Sequence, residues 1–237
     1  MTQGHGAAAP HGDPVKVVAT SSTLVVPKHA RVWHSGPVGT AVTDLWVGLH
    51  GYGQLAEYFV RHLLPLVSPT TRVMAPEALN RFYLEAAETR AAGGSQRVGA
   101  TWMTREDREH EIADYIAWLD AAVAQERARC APNVRVHVLG FSQGGTTAVR
   151  WLARGRERAA SLVLWAAQFP DDVELPGPFA AMALRVVAGD ADVYVTPERR
   201  GLLTARLDAA GLPVGRVDYA GTHRIYADVL QQVVATL

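Results

Sequence analysis

The segment at positions 140–145, of sequence GFSQGG, constrains the fold of this chain more than any other. It follows an apolar run at 134–139 and precedes a stretch with helical apolar spacing at 146–154. A serine flanked by glycines on a tight strand-to-helix turn is the pattern of a nucleophile elbow, because the strained and crowded backbone there admits only small neighbours. We therefore predict that Ser142 stands above a sheet, at the N-terminus of a helix.

The remaining pattern predicts an α/β fold with a mostly parallel central sheet and helices on both faces. From position 44 onward, strand-like and helix-like segments alternate, which is typical of a parallel sheet. An antiparallel edge pair, 15–21 with 31–34, and a long loop over 76–103 complete the prediction. The expected strands are 44–49, 72–75, 134–139, 161–165, 184–188 and 215–219, and the expected helices are 55–67, 104–129, 146–154, 197–210 and 225–234.

Length and composition set the domain count and exclude some partners. The 237 residues predict one domain over 15–237, preceded by a disordered arm at 1–14 that has neither the basic nor the apolar region of a signal peptide. With 23 basic and 23 acidic side chains, nothing indicates a nucleic-acid or membrane partner, and we expect a small-molecule substrate. No segment predicts a membrane span. Cys130 is the only cysteine, which favours a reducing, cytoplasmic location.

A serine nucleophile needs a base to accept its proton and an acid to orient that base. After Ser142 the only histidine is His223, in a short loop between the last predicted strand and the last helix. Asp190 and Asp192 both follow a predicted strand, and we favour Asp192 as the acid because it lies farther into the loop. Acidic residues after the preceding strand are a lesser alternative: Asp171, Asp172 and Glu174.

Other segments predict an oxyanion hole and a substrate pocket. The sequence HGYG at 50–53 follows a predicted strand, so we assign the amide of Tyr52 as partner to that of Gln143, with His50 bracing the loop. Aromatic residues of the long loop, together with a polar residue at the end of another strand, are candidate substrate contacts: Phe82, Tyr83, Trp102 and Gln168. For the aromatic residues, packing against the core is an equal alternative.

These motifs, in this order, resemble the phospholipase/carboxylesterase family of α/β-hydrolases, which includes the acyl-protein thioesterases. The likeness rests on LHGYG at 49–53, the GFSQGG turn, GDADV at 189–193 and GTH at 221–223, and it runs from about position 44 to the C-terminus. It implies a triad of Ser142, Asp192 and His223 in an esterase that uses no metal or other cofactor, but the specificity of the thioesterases is not carried over. We expect carboxylic esters of small or acyl substrates, with thioesters as a second class. The segment 76–104 departs from the acyl-protein thioesterases, and we expect it to border the substrate site.

Two other classes compete with this interpretation. The sequence GYGQLA at 51–56 also fits a dinucleotide-binding G-x-G-x-x-A, with Glu77 where a ribose-binding acid would lie. That oxidoreductase hypothesis leaves the serine turn and His223 unexplained. A non-catalytic ligand-binding protein on the same fold is the second alternative, although such a protein typically lacks a triad residue.

Overall fold

The structure is a computed structural model that describes residues 19–237. The predicted arm at 1–14 and the first part of the predicted strand at 15–21 lie outside the described residues. Residues 19–31 contain no strand.

A seven-stranded sheet runs through the molecule. Its strands are β1 (Val32–Ser35), β2 (Asp44–Leu49), β3 (Thr71–Pro76), β6 (Arg135–Phe141), β7 (Ser161–Trp165), β8 (Ala183–Gly189) and β9 (Val214–Tyr219). Their order across the sheet is β1-β3-β2-β6-β7-β8-β9. All neighbouring pairs are parallel except β1 with β3, so the predicted mostly parallel sheet is confirmed.

Helices cover both faces of the sheet, as predicted. The helices of the described residues are α1 (Ala56–Phe59), α2 (Ala87–Ala91), α3 (Arg108–Arg127), α4 (Gln143–Arg154), α5 (Pro197–Ala209) and α6 (Ala227–Val234), of which α2 has no buried residue. Residues of α3, α4 and α5 pack into one apolar cluster, and residues of α1 and α6 pack into a second cluster. None of the helices in the described part of the chain has the length and apolar character needed to cross a membrane.

The edge of the sheet and the helix after β2 differ from the prediction. Strand β1 pairs antiparallel with β3, with Trp33 opposite Ala75, rather than with a strand before it. The predicted helix at 55–67 is only α1, followed by two 3-10 turns, Val60–His62 and Leu64–Leu66. Pro65 lacks the amide hydrogen that a continuing α-helix requires, so a regular helix cannot run through this stretch.

The predicted loop over 76–103 is instead an ordered hairpin. Strands β4 (Asn80–Tyr83) and β5 (Val98–Thr101) pair antiparallel, and α2 lies between them. Ala100 bonds through both backbone groups to the turn after β2, accepting from Gly53 at 2.9 Å and donating to Gln54 at 3.1 Å. The hairpin is therefore fixed against the edge of the sheet where the predicted catalytic residues lie.

The start of α3 also differs from the prediction. The helix begins at Arg108 instead of near Thr104, and Asp107 precedes it in the left-handed conformation with no side-chain cap. One face of the helix packs into the core, since Ile112, Tyr115 and Leu119 are all buried.

Candidate active site

The turn that carries Ser142 is strained and tightly packed. Strand β6 ends directly before Ser142 and α4 begins directly after it, so this residue alone makes the turn, with φ 54° and ψ −121°. A positive φ is costly for a residue with a side chain and persists only where its surroundings hold it. Here the amide of Ser142 donates to Trp165 O at 2.9 Å. A Cβ at Gly144 would lie 2.1 Å from Leu49 O, so glycine is required at that position.

The structure brings Asp192 and His223 together at the same edge of the sheet. Asp192 follows β8 and His223 follows β9, and Asp192 Oδ2 lies 2.7 Å from His223 Nδ1. The carboxylate of Asp192 is fully buried, and its other oxygen accepts the amides of Tyr194 at 2.8 Å and Val195 at 3.0 Å. Because a carboxylate can only accept, His223 Nδ1 carries the proton of this bond and Nε2 is left to accept one.

Two of the other candidate acids, Asp190 and Asp172, are bonded elsewhere. Asp190 Oδ1 accepts the amide of Gly221 at 2.9 Å, which ties the loop after β8 to the loop after β9. Asp172 pairs with Arg150 at 2.9 Å and with Arg154 at 2.6 Å. The hydrogen bonds from Arg150 hold the pKa of Asp172 well below its usual range. Asp172 is therefore a structural anion of the α4 surface.

Ser142 and His223 line one cavity of about 510 Å³. The imidazole of His223 is held between two aromatic rings, Phe141 and Tyr194, each with its centroid 4.8 Å away. In the described part of the chain, Ser142 Oγ and His223 Nε2 are not hydrogen bonded. Such bonds are often long in ligand-free sites and tighten when substrate binds.

The two amides predicted to form an oxyanion hole have no partner of their own. Neither Tyr52 N nor Gln143 N donates a hydrogen bond to another residue in the range 19–237. Both residues line the cavity, and Gln143 opens α4, where the helix dipole favours negative charge. The side chain of Gln143 points elsewhere, because its Nε2 donates to Met103 O at 3.0 Å and its Oε1 accepts from Trp102 N at 3.2 Å.

His50 is a buried neutral histidine beside this turn. Its Nδ1 lies 2.8 Å from Gly51 O and its Nε2 accepts the amide of Ala78 at 3.1 Å. Burial lowers the pKa of His50 to about 4, although the bond to Gly51 opposes the shift. With both ring nitrogens bonded inside the protein, His50 braces the loop and has no nitrogen left to act as a base.

The predicted substrate contacts are placed in different environments. Trp102 is buried in the core, where its Nε1 donates to His50 O at 2.8 Å, so it does not line the cavity. Phe82 packs against Tyr52 with ring centroids 5.1 Å apart, and Tyr83 lies under the guanidinium of Arg90. Neither of these two rings lines the cavity. Of the four residues, only Gln168 does, and its Nε2 is buried with no partner among the described residues.

The cavity-lining side chains that the sequence did not indicate include Gln54, Tyr194 and Arg199. Gln54 Oε1 accepts the amide of Gly51 at 2.8 Å and so shapes the turn that carries Tyr52. Tyr194 lies two residues after the predicted acid, which is a signal that a search for aromatic neighbours would find. Arg199, in the first turn of α5, gave no sequence signal.

Glu77, the ribose-binding acid of the dinucleotide hypothesis, is not available to a ligand in the structure. Glu77 is buried, pairs with Arg31 at 2.6 Å and accepts the amide of Ala56 at 3.3 Å. Its carboxylate is thus used within the protein, where it joins β3 to the start of α1. Across residues 19–237, no three His, Cys, Asp or Glu side chains cluster closely enough to hold a metal ion.

The sequence profile of the family described as alpha/beta hydrolase fold matches residues 49–205, about two thirds of the chain. No curated protein matches the chain in sequence.

Many solved structures resemble the fold. Acyl-protein thioesterase 2 of Zea mays has a TM-score of 0.66 and 20% identity, covering 88% of this chain and 97% of its own. The esterase PE8 has a TM-score of 0.62 and 21% identity, covering 87% and 97%. A phospholipase/carboxylesterase from Dyadobacter fermentans has a TM-score of 0.61 and 17% identity, covering 90% and 98%. At these identities the likeness shows the fold.

Proposed function

The chain belongs to the α/β-hydrolase fold family, and from that premise we propose that it is a serine esterase with Ser142, His223 and Asp192 as its triad. The observation that carries the proposal is the 2.7 Å bond between Asp192 and His223, beside a serine on a strained turn in the same cavity. Fold alone does not determine chemistry, so the proposal depends on these side chains.

In the first half of the reaction, Ser142 Oγ attacks the ester carbonyl carbon while His223 Nε2 accepts its proton. Asp192 keeps the proton of the imidazole on Nδ1 and stabilises the imidazolium that forms. The tetrahedral intermediate collapses, His223 returns the proton to the leaving alcohol, and an acyl-enzyme ester on Ser142 remains. In the second half, water attacks that ester while His223 Nε2 accepts its proton. His223 then returns this proton to Ser142 Oγ as the acid is released.

The amides of Tyr52 and Gln143 donate to the oxygen that becomes negative in the tetrahedral intermediate. Support comes from their lack of other partners and from the position of Gln143 at the first turn of α4. Donors fixed in advance stabilise the transition state more than the ground state, which is how such a pair accelerates acyl transfer.

The proposed substrates are small or acyl carboxylic esters, with thioesters as a second class. The structural neighbours include proteins described as an esterase and as an acyl-protein thioesterase, and one mechanism serves both bonds. We also propose that residues 15–237 form one domain. The single thiol of Cys130 supports the further proposal that the protein is cytoplasmic.

Turnover of 4-nitrophenyl acetate and butyrate, and of acetyl and butyryl thioesters, tests the proposal. We expect wild-type protein to hydrolyse at least one series and Ser142→Ala to lose at least about 10⁴-fold in kcat. Thermal unfolding of both proteins controls for folding. Equal rates in the two folded proteins would reject Ser142 as the nucleophile, and the absence of any turnover would favour the non-catalytic ligand-binding alternative.

A further inference from the structure

The charge of the cavity that holds Ser142 is dominated by Arg199. Among the side chains that line it, Arg199 is the one with a permanent charge, and the described part of the chain contributes no carboxylate to the lining. Asp192 lies behind His223 with both oxygens bonded and its side chain fully buried. A substrate in the cavity therefore meets a positive charge that no acid of the lining neutralises.

The guanidinium of Arg199 has most of its donors unused. Its Nη1 donates to Tyr194 O at 2.8 Å, and no carboxylate within residues 19–237 lies within 4 Å of it. Two other arginines of α5 differ in this respect, since Arg200 pairs with Asp218 at 3.0 Å and Arg206 with Asp171 at 3.2 Å. Because a guanidinium has five N–H donors in a fork that matches a carboxylate, Arg199 can hold an anion bidentately without breaking its bond to Tyr194.

A second unused donor lines the same cavity. Gln168 Nε2 is buried and has no acceptor among the described residues. A buried donor without a partner costs free energy, which a ligand that supplies an acceptor would recover. Gln168 follows β7 close to Ala166, whose φ of 51° marks another constrained turn at this edge of the sheet.

Arg199 is also held close to the reaction centre. The residue that accepts its hydrogen bond, Tyr194, packs its ring against His223 with centroids 4.8 Å apart. The amide of Tyr194 in turn donates to Asp192 at 2.8 Å. An anion on Arg199 would therefore lie in the same cavity as the scissile bond, on the His223 side.

We propose, on the basis of the esterase function above, that this cavity selects esters whose acyl part ends in a carboxylate, with Arg199 as the specificity-determining residue and Gln168 as a second donor. One guanidinium matches the single charge of a carboxylate. A phosphate monoester carries about −1.5 to −2 near neutral pH and would leave charge uncompensated in this site. Half-esters of dicarboxylic acids are the substrate class that fits.

Monomethyl and dimethyl adipate provide a matched pair of substrates, since both contain the same methyl ester and differ in a carboxylate at the far end. We expect wild-type protein to favour the monomethyl ester about 10-fold in kcat/KM, mainly through KM. Arg199→Gln should abolish this preference, and Arg199→Lys should retain part of it. Arg200→Gln, one residue along the same helix and paired with Asp218, should keep the wild-type ratio. Added salt should narrow the preference in the wild type.

Equal preference in wild type and Arg199→Gln, with ester turnover intact, would overturn this inference and leave the esterase proposal standing. Calorimetric binding of monomethyl adipate to Ser142→Ala protein gives a second readout that needs no turnover. We expect addition of Arg199→Gln in that background to weaken binding about 10-fold. Unchanged binding would overturn the inference even if no ester were hydrolysed.

Discussion

Residues 19–237 contain two Ser-His-Asp arrangements, one at each end of the sheet. Ser142, His223 and Asp192 lie at the carboxyl ends of the strands. The second set lies at the amino ends: His137 on β6 contacts Ser161 Oγ through Nδ1 at 2.8 Å and Asp44 Oδ1 through Nε2 at 3.0 Å. Residue types alone therefore do not distinguish the proposed catalytic set from the other, and of the two serines it is Ser161 that contacts its histidine.

The two sets differ in the accessibility of the serine and in the conformation of the backbone that carries it. Ser161 is 1% exposed at the start of β7, in ordinary strand pairing opposite His137. Ser142 lies on a strained turn, at the N-terminus of α4, in a cavity. The two histidines also bond their acids through different ring nitrogens, since Asp44 lies against Nε2 of His137 and Asp192 lies against Nδ1 of His223. A serine that is buried to this extent is not accessible to a substrate.

The second set serves the fold instead. Although burial opposes the shift, the hydrogen bonds from His137 and Thr43, together with Arg135, hold the pKa of Asp44 below its usual value. The network joins the first residue of β2 to β6 and β7 across three neighbouring strands. Its contribution is to stability, whereas the role we propose for the first set is catalysis.

The largest contrast is expected from removing the acid of each set. Asp192→Asn should lower kcat by about four orders of magnitude, because the amide can stabilise the wrong tautomer of His223. Asp44→Asn should leave kcat within a few-fold of wild type, since it lies at the other end of the sheet. Ester turnover measures both, and a large loss in Asp44→Asn protein that remains folded would contradict the assignment.

Asp190→Asn is the matched control within the active-site loops, because Asp190 bonds Gly221 rather than His223. We expect a much smaller loss of turnover than for Asp192→Asn. The reverse ranking would reassign the acid.

The strained turn at Ser142 should tolerate an added Cβ far less well than an ordinary helix position does. Gly144→Ala places a Cβ 2.1 Å from Leu49 O and 2.6 Å from His50 O, so the backbone must shift. We expect a loss of more than about 3 kcal/mol in the free energy of unfolding. Gly201→Ala, in α5 with no atom within 4 Å of its new Cβ, should instead gain about 0.5–1 kcal/mol. Denaturant unfolding measures both, and equal stabilities would show that the turn is not constrained as described.

Lowering the pH should destabilise the folded protein through His50, which braces the loop at 50–53. The pKa of His50 is lowered to about 4 in the folded protein, whereas an unfolded histidine titrates near 6.5. The unfolded state therefore binds more protons between these values, so stability is full above about pH 6.5 and falls as the pH drops toward 4. The loss amounts to about 3 kcal/mol. Unfolding free energies measured from pH 7 to pH 4 should show this slope, and His50→Gln should flatten it; parallel curves for the two proteins would remove His50 as the cause.

The smallest effect on stability and turnover is expected from substitution of the buried Ser161. Ser161→Ala removes one hydrogen bond to His137 and should cost about 1 kcal/mol of stability, with turnover unchanged. Thermal unfolding and an ester assay on the same preparation check this. Lost turnover in folded Ser161→Ala protein would erase the distinction between the two sets.

The sequence predicted the strands of the sheet and the loops that follow them because both have strong local signals. Long apolar runs mark the buried strands, and glycine-flanked Ser142 and the lone downstream His223 mark the loops at their carboxyl ends. Shorter elements were missed: β4 and β5 have four residues each, and their pairing depends on contacts with the turn after β2 that no local pattern records.

The substrate-facing side chains were the least predictable part of the site. An aromatic residue such as Trp102 has the same sequence signature whether it packs in the core or faces a ligand, and here it lies in the core. Arg199 lines the cavity because α5 begins directly after the loop that carries Asp192. Such positions are set by tertiary packing rather than by sequence spacing.

Intact-mass analysis after treatment with a fluorophosphonate probe tests the central claim most directly, because the probe reacts only with an activated and accessible serine. We predict one adduct on the wild type and on Ser161→Ala, mapped by peptide analysis to Ser142, and none on Ser142→Ala. A folded wild-type protein that takes no adduct, or one whose adduct maps to another serine, would contradict the account.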